Sequence, residues 1–339
     1  MEEVIFFDFE EAISFLSESD LGITINSLIE QERDEILRNP TLAELNGNVQ
    51  LRQFENFYVP ASALFIFYPW RNTLVITHGK EIFNAIKYTR NNYKINADEQ
   101  RELLKKNIGV VGLSVGCSIV KTLVMEGLCG KLKIADYDTL DISNTNRIDW
   151  GIFDIGCSKV DLVYRWIKEA NPFIDVEIFN DGINETNIGD FFGGVGGDLD
   201  LVIDECDSLK TKILLRIYAK RQSIPLVMHT SDRGMLDIEN YSLEPSFSSH
   251  LMKFVEYSDE ELRRNMGRII AEFCEIANAS ERSVYSFSEI GKSLASWPQL
   301  AEDVISGAGN IANVVRRIML GEKLLSQRAY INCDNLKNQ

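Results

Sequence analysis

The stretch NIGVVGLSVGCSIVKTLVMEGL, residues 107–128, has the pattern of a strand, a glycine turn and a helix in succession. The apolar run before Gly112 is typical of a buried strand, and the residues after Gly116 have helical spacing. In this arrangement, backbone N–H groups at the start of the helix can approach a phosphate group. Because the turn does not match GxGxxG, a tight turn without a ligand is the alternative. The physical context favours a nucleotide site.

Short apolar strands alternate with helices beyond this stretch. Strand patterns follow in KLKIADYD (131–138), VEIFN (176–180), LDLVIDECD (199–207) and IPLVMHT (224–230). Helical patterns of 10–15 residues lie between them, and this alternation predicts an α/β fold with a Rossmann-like, doubly wound, mostly parallel sheet. Ligands of such sheets bind beyond the carboxyl ends of the strands. The turns after the first, second and fourth strands are therefore the candidate site.

The flanking segments divide the chain into two parts. Residues 1–87 alternate helical and strand-like patches without a chemical motif, and they predict a small α+β N-terminal extension of unknown role. Residues 88–339 form the predicted main domain, with a nucleotide-binding core at about 105–240. Its C-terminal part, about 241–339, ends in a long helical pattern, QLAEDVISGAGNIANVVRRIMLGE (299–322).

Composition limits the classes of partner. The net charge of −16 argues against a broad nucleic-acid-binding face and favours cationic or small-molecule partners. No apolar run approaches the roughly 18 residues needed to cross a membrane. Six cysteines without a CxxC pair predict reduced thiols, no structural zinc and a cytoplasmic protein.

The segment DYDTLDISNTNR, residues 136–147, follows the second strand and crowds three carboxylates together. An EF-hand calcium loop is excluded because the oxygen ligand at position five and the glycine at position six are missing. Asp136 lies at the end of a strand, where a carboxylate can accept hydrogen bonds from ribose hydroxyls. An NAD site explains Asp136 but not the polar residues after it. Asn144, Asn146 and Arg147 can instead donate hydrogen bonds to a triphosphate.

Two further positions fit a triphosphate. Lys159 begins the next helix, where its charge would lie beside the phosphates. The alternative is a solvated lysine in the first turn of a helix, without a ligand. Asp204 and Asp207 end the fourth strand, and two carboxylates there predict a magnesium site.

Four motifs in order carry a resemblance to a known family. GLSVG, DYDTLDISNTNR, GCSK and DECDS resemble the glycine turn, D-x-D-T-x-x-x-S-N-x-x-R, G-x-x-K and D-x-x-D-N of the ThiF/MoeB/HesA family, the bacterial relatives of ubiquitin-activating enzymes. Their spacing is nearly that of the family. The resemblance covers about residues 88–325, including the final helix, and leaves residues 1–87 outside.

The resemblance implies an adenylyltransferase that uses ATP and Mg²⁺ to adenylate a carboxylate and releases pyrophosphate. The carboxylate would be the C-terminus of a small ubiquitin-like protein or peptide. Arg90 would reach across a homodimer to the triphosphate. The other implied site residues are Gly112, Ser114 and Gly116 in the turn, Asp136 at the ribose, Asn144, Asn146, Arg147 and Lys159 at the phosphates, and Asp207 at Mg²⁺.

Departures from the family pattern keep other functions open. The zinc cysteines are absent, the glycine turn is one residue short, and Asp207 is followed by Ser208. Ser208 and the missing zinc resemble the branch that cyclises threonylcarbamoyl-adenosine on transfer RNA, which would activate an RNA-borne or small-molecule carboxylate. DRGMLDIEN (232–240) is similar to the ThiF-like half of proteins fused to a nitroreductase. A non-catalytic docking subunit and an NAD-dependent dehydrogenase are the remaining alternatives.

None of the cysteines is expected to form a thioester. Cys206 and Cys274 are predicted to be buried structural thiols, and Cys117 is predicted to pack at the start of a helix. The expected chemistry is therefore adenylation without a covalent intermediate on the protein.

Overall fold

The computed structural model describes residues 2–19, 22–45, 50–194, 196–273, 275 and 278–333. The chain divides into two compact units, Met1–Ala97 and Asp98–Gln339, with the division somewhat later than the boundary predicted between residues 87 and 88. Cys274, which the sequence predicts to be a buried thiol, lies outside the described residues.

The first unit is α+β, as predicted. Its core is aromatic: Phe54 packs against Phe65 with 4.5 Å between the ring centroids, and Phe9 contacts both rings. A four-stranded sheet has the order β1-β5-β6-β2, and β3 and β4 form a separate hairpin. The elements are β1 (Ile5–Phe7), α1 (Phe9–Glu18), β2 (Thr24–Ser27), α2 (Ile29–Arg38), β3 (Leu51–Phe54), β4 (Phe57–Pro60), β5 (Leu64–Tyr68), β6 (Thr73–Thr77) and α3 (Lys80–Lys87).

The second unit is built on a seven-stranded sheet. Its strands are β7 (Asn107–Val111), β8 (Lys131–Ala135), β9 (Asp175–Phe179), β10 (Leu201–Asp204), β11 (Pro225–Thr230), β12 (Met235–Asn240) and β13 (Gln327–Tyr330). The helices are α4 (Ala97–Leu103), which begins at the division, then α5 (Val115–Glu126), α6 (Lys159–Ala170), α7 (Ile188–Phe191), α8 (Leu209–Arg221), α9 (Asp259–Phe273), α10 (Glu281–Glu289) and α11 (Ala301–Met319).

The strand order β13-β12-β11-β10-β7-β8-β9 confirms the predicted doubly wound sheet. Strands β7 to β11 are parallel, because each is joined to the next by a connection that crosses a face of the sheet. The chain runs outward from β7 to β9 and then returns to β10 on the other side of β7. The order therefore reverses between β7 and β10, which is where sheets of this kind bind ligands.

Buried apolar strands fix this arrangement. All four residues of β10 are buried, and so are the last four of both β7 and β8. Helix α11 packs on α5 and also contacts β11. Gly307 of α11 makes the second contact possible, because a methyl group at this position would overlap the imidazole ring of His229.

The antiparallel strands β12 and β13 were not recognised from the sequence. In β12, the segment MLDIEN is buried at every position, so its charged residues need partners inside the protein. Asp237 is paired with Arg328 of β13, with 2.6 Å between the carboxylate and guanidinium atoms. In the described part of the chain, no helix is both long and apolar enough to cross a membrane.

Candidate functional site

The glycine turn between β7 and α5 lies directly against the end of β10. Gly112 has a φ of +91°, and a side chain there would overlap the backbone carbonyl of Glu205. At Gly116 a Cβ atom would lie 3.1 Å from Val110, so this position also favours glycine. Ser114 is the N-cap residue, and its side chain makes no capping hydrogen bond within the described helix. The turn therefore brings the start of α5 close to the strand ends.

Asp136 connects the end of β8 to this turn. Its carboxylate accepts a hydrogen bond from the N–H of Leu113 at 2.6 Å and another from the N–H of Asp138 at 2.8 Å. The side chain is buried, with 8% of the residue exposed. A carboxylate has about four lone-pair positions, so two backbone hydrogen bonds leave capacity for a ligand hydroxyl. The position fits the predicted role of holding a ribose.

Lys159 is paired with a carboxylate that the sequence analysis did not assign. Its Nζ atom lies 2.9 Å from Oδ2 of Asp138, and its backbone N–H donates to the carbonyl of the same residue at 3.0 Å. Only 5% of Lys159 is exposed, whereas the Asp138 side chain is half exposed. A phosphate would have to displace or share this partner. Phosphate binding by Lys159 stays a prediction.

Arg147 is a partly buried cation beside the glycine turn. Its guanidinium donates to the carbonyl of Ser143 at 3.0 Å and to Oδ1 of Asn146 at 2.9 Å, and it lies 3.5 Å from Oγ of Ser114. Its buried Nε atom has no hydrogen-bond partner among the described residues. Burial lowers the pKa of this guanidinium, and the charge of Asp207 opposes that shift. A cation held by neutral acceptors is suited to binding an anion.

Asn144 and Asn146 hold the local structure together. Oδ1 of Asn144 accepts the N–H of Asp141 at 3.0 Å in a capping box of the short turn Ile142–Asn144. The amide nitrogen of Asn146 donates to the carbonyl of Gln299 at 2.9 Å. Oδ1 of Asn146 also accepts the hydrogen bond from Arg147. The predicted role of both asparagines as phosphate donors is not tested by these contacts.

The magnesium prediction is wrong for Asp204, the last residue of β10. Asp204 is fully buried, and its oxygens lie 3.0 Å from Nζ of Lys212 and 2.6 Å from Nη1 of Arg216. Its charge is therefore already neutralised inside the protein. Asp207 is exposed, and a single carboxylate acting with substrate phosphates is a usual way to bind Mg²⁺. No cluster of three or more metal-binding side chains occurs among the described residues, and Mg²⁺ at Asp207 stays a prediction.

Glu205 is a residue of this edge that the sequence analysis missed. Its side chain lies next to Gly116, and Oε1 accepts the N–H of His229 at 2.9 Å. Burial raises the pKa of this carboxyl to about 8, while the nearby Lys212 lowers it. The sequence signal that could have identified Glu205 is its position as a third acidic residue between the two aspartates of DECD, residues 204–207.

The thiols and Arg90 complete the predicted set. Burial raises the pKa of Cys117 to about 11, and the pKa of Cys206 is raised by burial and by Asp204. Both thiols are therefore poor nucleophiles at neutral pH. Arg90 lies in the short turn Thr89–Asn91 of the first unit, and its contribution to a site across a homodimer stays a prediction.

Two relatives of the chain match it over part of its length. An uncharacterized protein of Mycobacterium tuberculosis is 38% identical over 270 residues, which cover 78% of this chain and 37% of that protein. The tRNA threonylcarbamoyladenosine dehydratase of Escherichia coli is 31% identical over 133 residues, which cover 39% of this chain and 48% of the enzyme. The chain thus spans between about a third and a half of the length of these relatives.

Solved structures support the fold. The E. coli dehydratase in complex with AMP superposes with a TM-score of 0.52 at 18% identity, over 70% of this chain and 96% of that chain. E. coli MccB with ATP gives a TM-score of 0.53 at 16% identity, over 77% of this chain and 72% of that chain. The model of the ThiF family matches residues 88–259, just over half of the sequence. This chain therefore belongs to the ThiF family.

Proposed function

We propose that the chain catalyses ATP-dependent adenylation of a carboxylate. The observation that carries the proposal is the position of Arg147, a partly buried cation with no ion pair among the described residues, beside the glycine turn. Asp136 and Lys159 belong to the same carboxyl edge of the sheet, at the reversal between β7 and β10. Membership of the ThiF family and the fold shared with nucleotide-bound structures support a nucleotide at this edge.

The residues of this edge would act mainly by positioning and by stabilising charge. Asp136 would accept hydrogen bonds from the ribose, and the N-terminal N–H groups of α5 would face the phosphates. Arg147 would offset the negative charge that develops on the phosphates, and Lys159 would exchange Asp138 for a phosphate oxygen. A carboxylate oxygen would attack the α-phosphorus. The bond from this phosphorus to the bridging oxygen would break, so that pyrophosphate leaves and an acyl adenylate remains.

Mg²⁺ is part of the proposal because the donor set fits it. Asp207 is an exposed carboxylate at the end of β10, and magnesium favours oxygen ligands from one or two carboxylates together with phosphates. When bound, the ion would neutralise charge on the triphosphate.

The proposed acceptor is the C-terminus of a small ubiquitin-like protein or peptide. The second candidate is a tRNA-borne carboxylate, which is favoured by the identity to the E. coli tRNA threonylcarbamoyladenosine dehydratase. That identity covers 39% of this chain and 48% of the enzyme, so it leaves most of this chain unmatched. The net charge of −16 disfavours an extended RNA surface.

Pyrophosphate exchange into ATP tests the proposal and separates the acceptors. We expect exchange with Mg²⁺ and peptides that have a free C-terminus, and none with the same peptides amidated. Asp207→Ala and Arg147→Ala should abolish exchange, whereas Asp175→Ala, an exposed carboxylate at the start of β9, should not change it. Exchange only with tRNA carrying a carboxylate would select the second candidate. ATP binding without exchange for any acceptor would indicate a docking subunit and contradict the proposed activity.

We also propose a homodimer in which Arg90 completes the site of the partner. Arg90→Ala and Asp207→Ala chains should each be inactive alone. Mixed after subunit exchange, they should recover part of the activity, because some sites would then contain both native residues. No recovery after confirmed exchange would contradict a shared site.

A further inference from the structure

Lys121 is a nearly buried lysine that the proposed reaction does not use. It lies on α5, one turn after Cys117, and its side chain is 11% exposed. Nζ lies 4.2 Å from the centre of the Trp150 ring and 5.4 Å from the centre of the Trp166 ring. Because an ammonium group is strongly hydrated, burying it is costly, and two aromatic faces offset part of this cost.

The hydrogen bond of Lys121 is to the backbone of the segment that carries Arg147. Its Nζ atom donates to the carbonyl of Asp149 at 3.0 Å. The carboxylate of Asp149 is 3.5 Å away but fully exposed, so this ion pair adds little. Lys121 is therefore held to this segment mainly by two contacts. One is its hydrogen bond to the Asp149 carbonyl, two residues after Arg147, and the other is its contact with the ring of Trp150, three residues after Arg147.

The orientation of the Arg147 side chain depends on how firmly the backbone of its segment is held. Among the described residues, the hydrogen-bond acceptors of its guanidinium are the Ser143 carbonyl, the Asn146 side chain and the Ser114 hydroxyl, all of them neutral. Neutral acceptors hold a guanidinium less strongly than a carboxylate does. Ile148, the next residue, is 2% exposed and anchors the backbone in the core. Beyond it, Lys121 and Trp150 fix the end of the segment against α5.

We propose that Lys121 is a positioning residue for the nucleotide site. By holding Asp149 and Trp150 against α5, it keeps the Arg147 guanidinium beside the glycine turn before ATP binds. Pre-organisation of this kind improves affinity because less freedom is lost on binding. The inference rests on the proposed function, since it assumes that Arg147 binds the triphosphate. Lys121 itself has no role in contacting the nucleotide.

Calorimetric titration of the full chain with ATP and Mg²⁺ tests the inference. Lys121→Met keeps the length of the side chain and removes its charge, and we expect the dissociation constant for ATP to rise about tenfold. Lys121→Arg should bind ATP nearly as the native chain does, because a guanidinium can also stack on an indole and donate to a carbonyl. Lys220→Met is the matched control: Nζ of Lys220 also donates to a backbone carbonyl, that of Phe247 at 2.9 Å, but on α8.

A double-mutant cycle distinguishes positioning from a general loss of stability. In an Arg147→Ala background, Lys121→Met should cause no further loss of ATP affinity, because its effect passes through Arg147. A further tenfold loss in that background would overturn the inference. Native ATP affinity in the Lys121→Met variant would also overturn the inference.

A second variant keeps the test valid if Lys121→Met does not fold. Trp150→Leu removes the aromatic face and leaves the lysine in place, and it should weaken ATP binding in the same direction. Native ATP affinity in this variant would also overturn the inference. Failure of the native chain to bind ATP would instead overturn the proposed function, so the two failures are distinguishable.

Discussion

Two charged regions of the second unit lie close together in sequence and differ in how their charges are satisfied. The buried ion cluster comprises Asp204, Lys212, Arg216 and Glu239, and Arg216 is fully buried with partners at 2.6 and 2.8 Å. The second region, called the nucleotide edge because a nucleotide is proposed to bind there, comprises Asp136, Arg147, Lys159 and Asp207. At this edge the guanidinium of Arg147 donates to neutral acceptors among the described residues, and Asp207 is exposed. Charges that are completely paired hold the protein together, whereas charges with spare capacity are available to a ligand.

Removing Arg216 should have the largest effect, and the effect should be on stability. Arg216→Ala would leave two buried carboxylates, Asp204 and Glu239, without this cation, and breaking such a pair costs about 3–5 kcal/mol. Urea unfolding would measure the loss. Arg147→Ala is the matched arginine variant at the nucleotide edge, and we expect its stability to remain within about 1 kcal/mol of native. Equal losses in both variants would contradict the distinction between the regions.

His229 adds a third case to the comparison of the two charged regions, a buried imidazole that has no hydrogen-bond partner among the described residues. Both ring nitrogens lack hydrogen-bond partners among the described residues, and burial lowers the pKa to about 4. Since the unfolded chain binds this proton more tightly, His229 favours folding above pH ~6.5. That contribution should decline by about 3 kcal/mol as the pH falls to ~4.

Thermal unfolding between pH 7.5 and 4 would measure this effect. We expect His229→Leu to lose less stability than the native chain over that range, because leucine does not titrate. His250→Leu is the control, since the His250 side chain is 55% exposed. Parallel pH profiles for the native chain and His229→Leu would show that His229 does not titrate in this way.

Asp138 allows a smaller test of the nucleotide edge. Asp138→Asn should cost about 1 kcal/mol without ligand, because the carboxylate is half exposed. If Lys159 then binds phosphate, ATP should stabilise the variant more than the native chain. Melting temperatures with and without ATP would show the difference, with Asp98→Asn, from an exposed pair with Arg101, as the control. An unchanged ATP-induced shift would mean that Lys159 does not exchange partners.

Periodicity and turn chemistry were sufficient to predict the parallel sheet, and they indicated the edge at which the proposed site lies. They could not separate Asp204 from Asp207, because burial depends on Lys212 and Arg216 of α8, which pack against the strand only in the folded chain. Strand β12 was missed because MLDIEN contains charges that have buried partners, as Asp237 has in Arg328. The role of Asp138 as a partner of Lys159 likewise depends on a contact across 21 residues.

The parallel sheet also explains why the order of the motifs along the sequence indicated which polar residues lie close together. Asp136 and the glycine turn directly follow the adjacent strands β8 and β7, and the hydrogen bond between them is a direct result of the parallel register. The side chains of Asn144 and Asn146, by contrast, also cap a turn and bind the segment before α11. A sequence pattern shows which polar groups gather at an edge but not which of them the fold itself uses.

The most direct test of the account is the thermal stabilisation of the native chain by ATP with Mg²⁺, compared with NAD. A ligand at about a hundred times its dissociation constant adds roughly 2.7 kcal/mol, which is readily seen as a melting shift. We predict a shift with ATP, none with NAD, a smaller shift in Arg147→Ala and an unchanged shift in Asp175→Ala. A shift with NAD, or an ATP shift that survives Arg147→Ala unchanged, would contradict the account of the nucleotide edge.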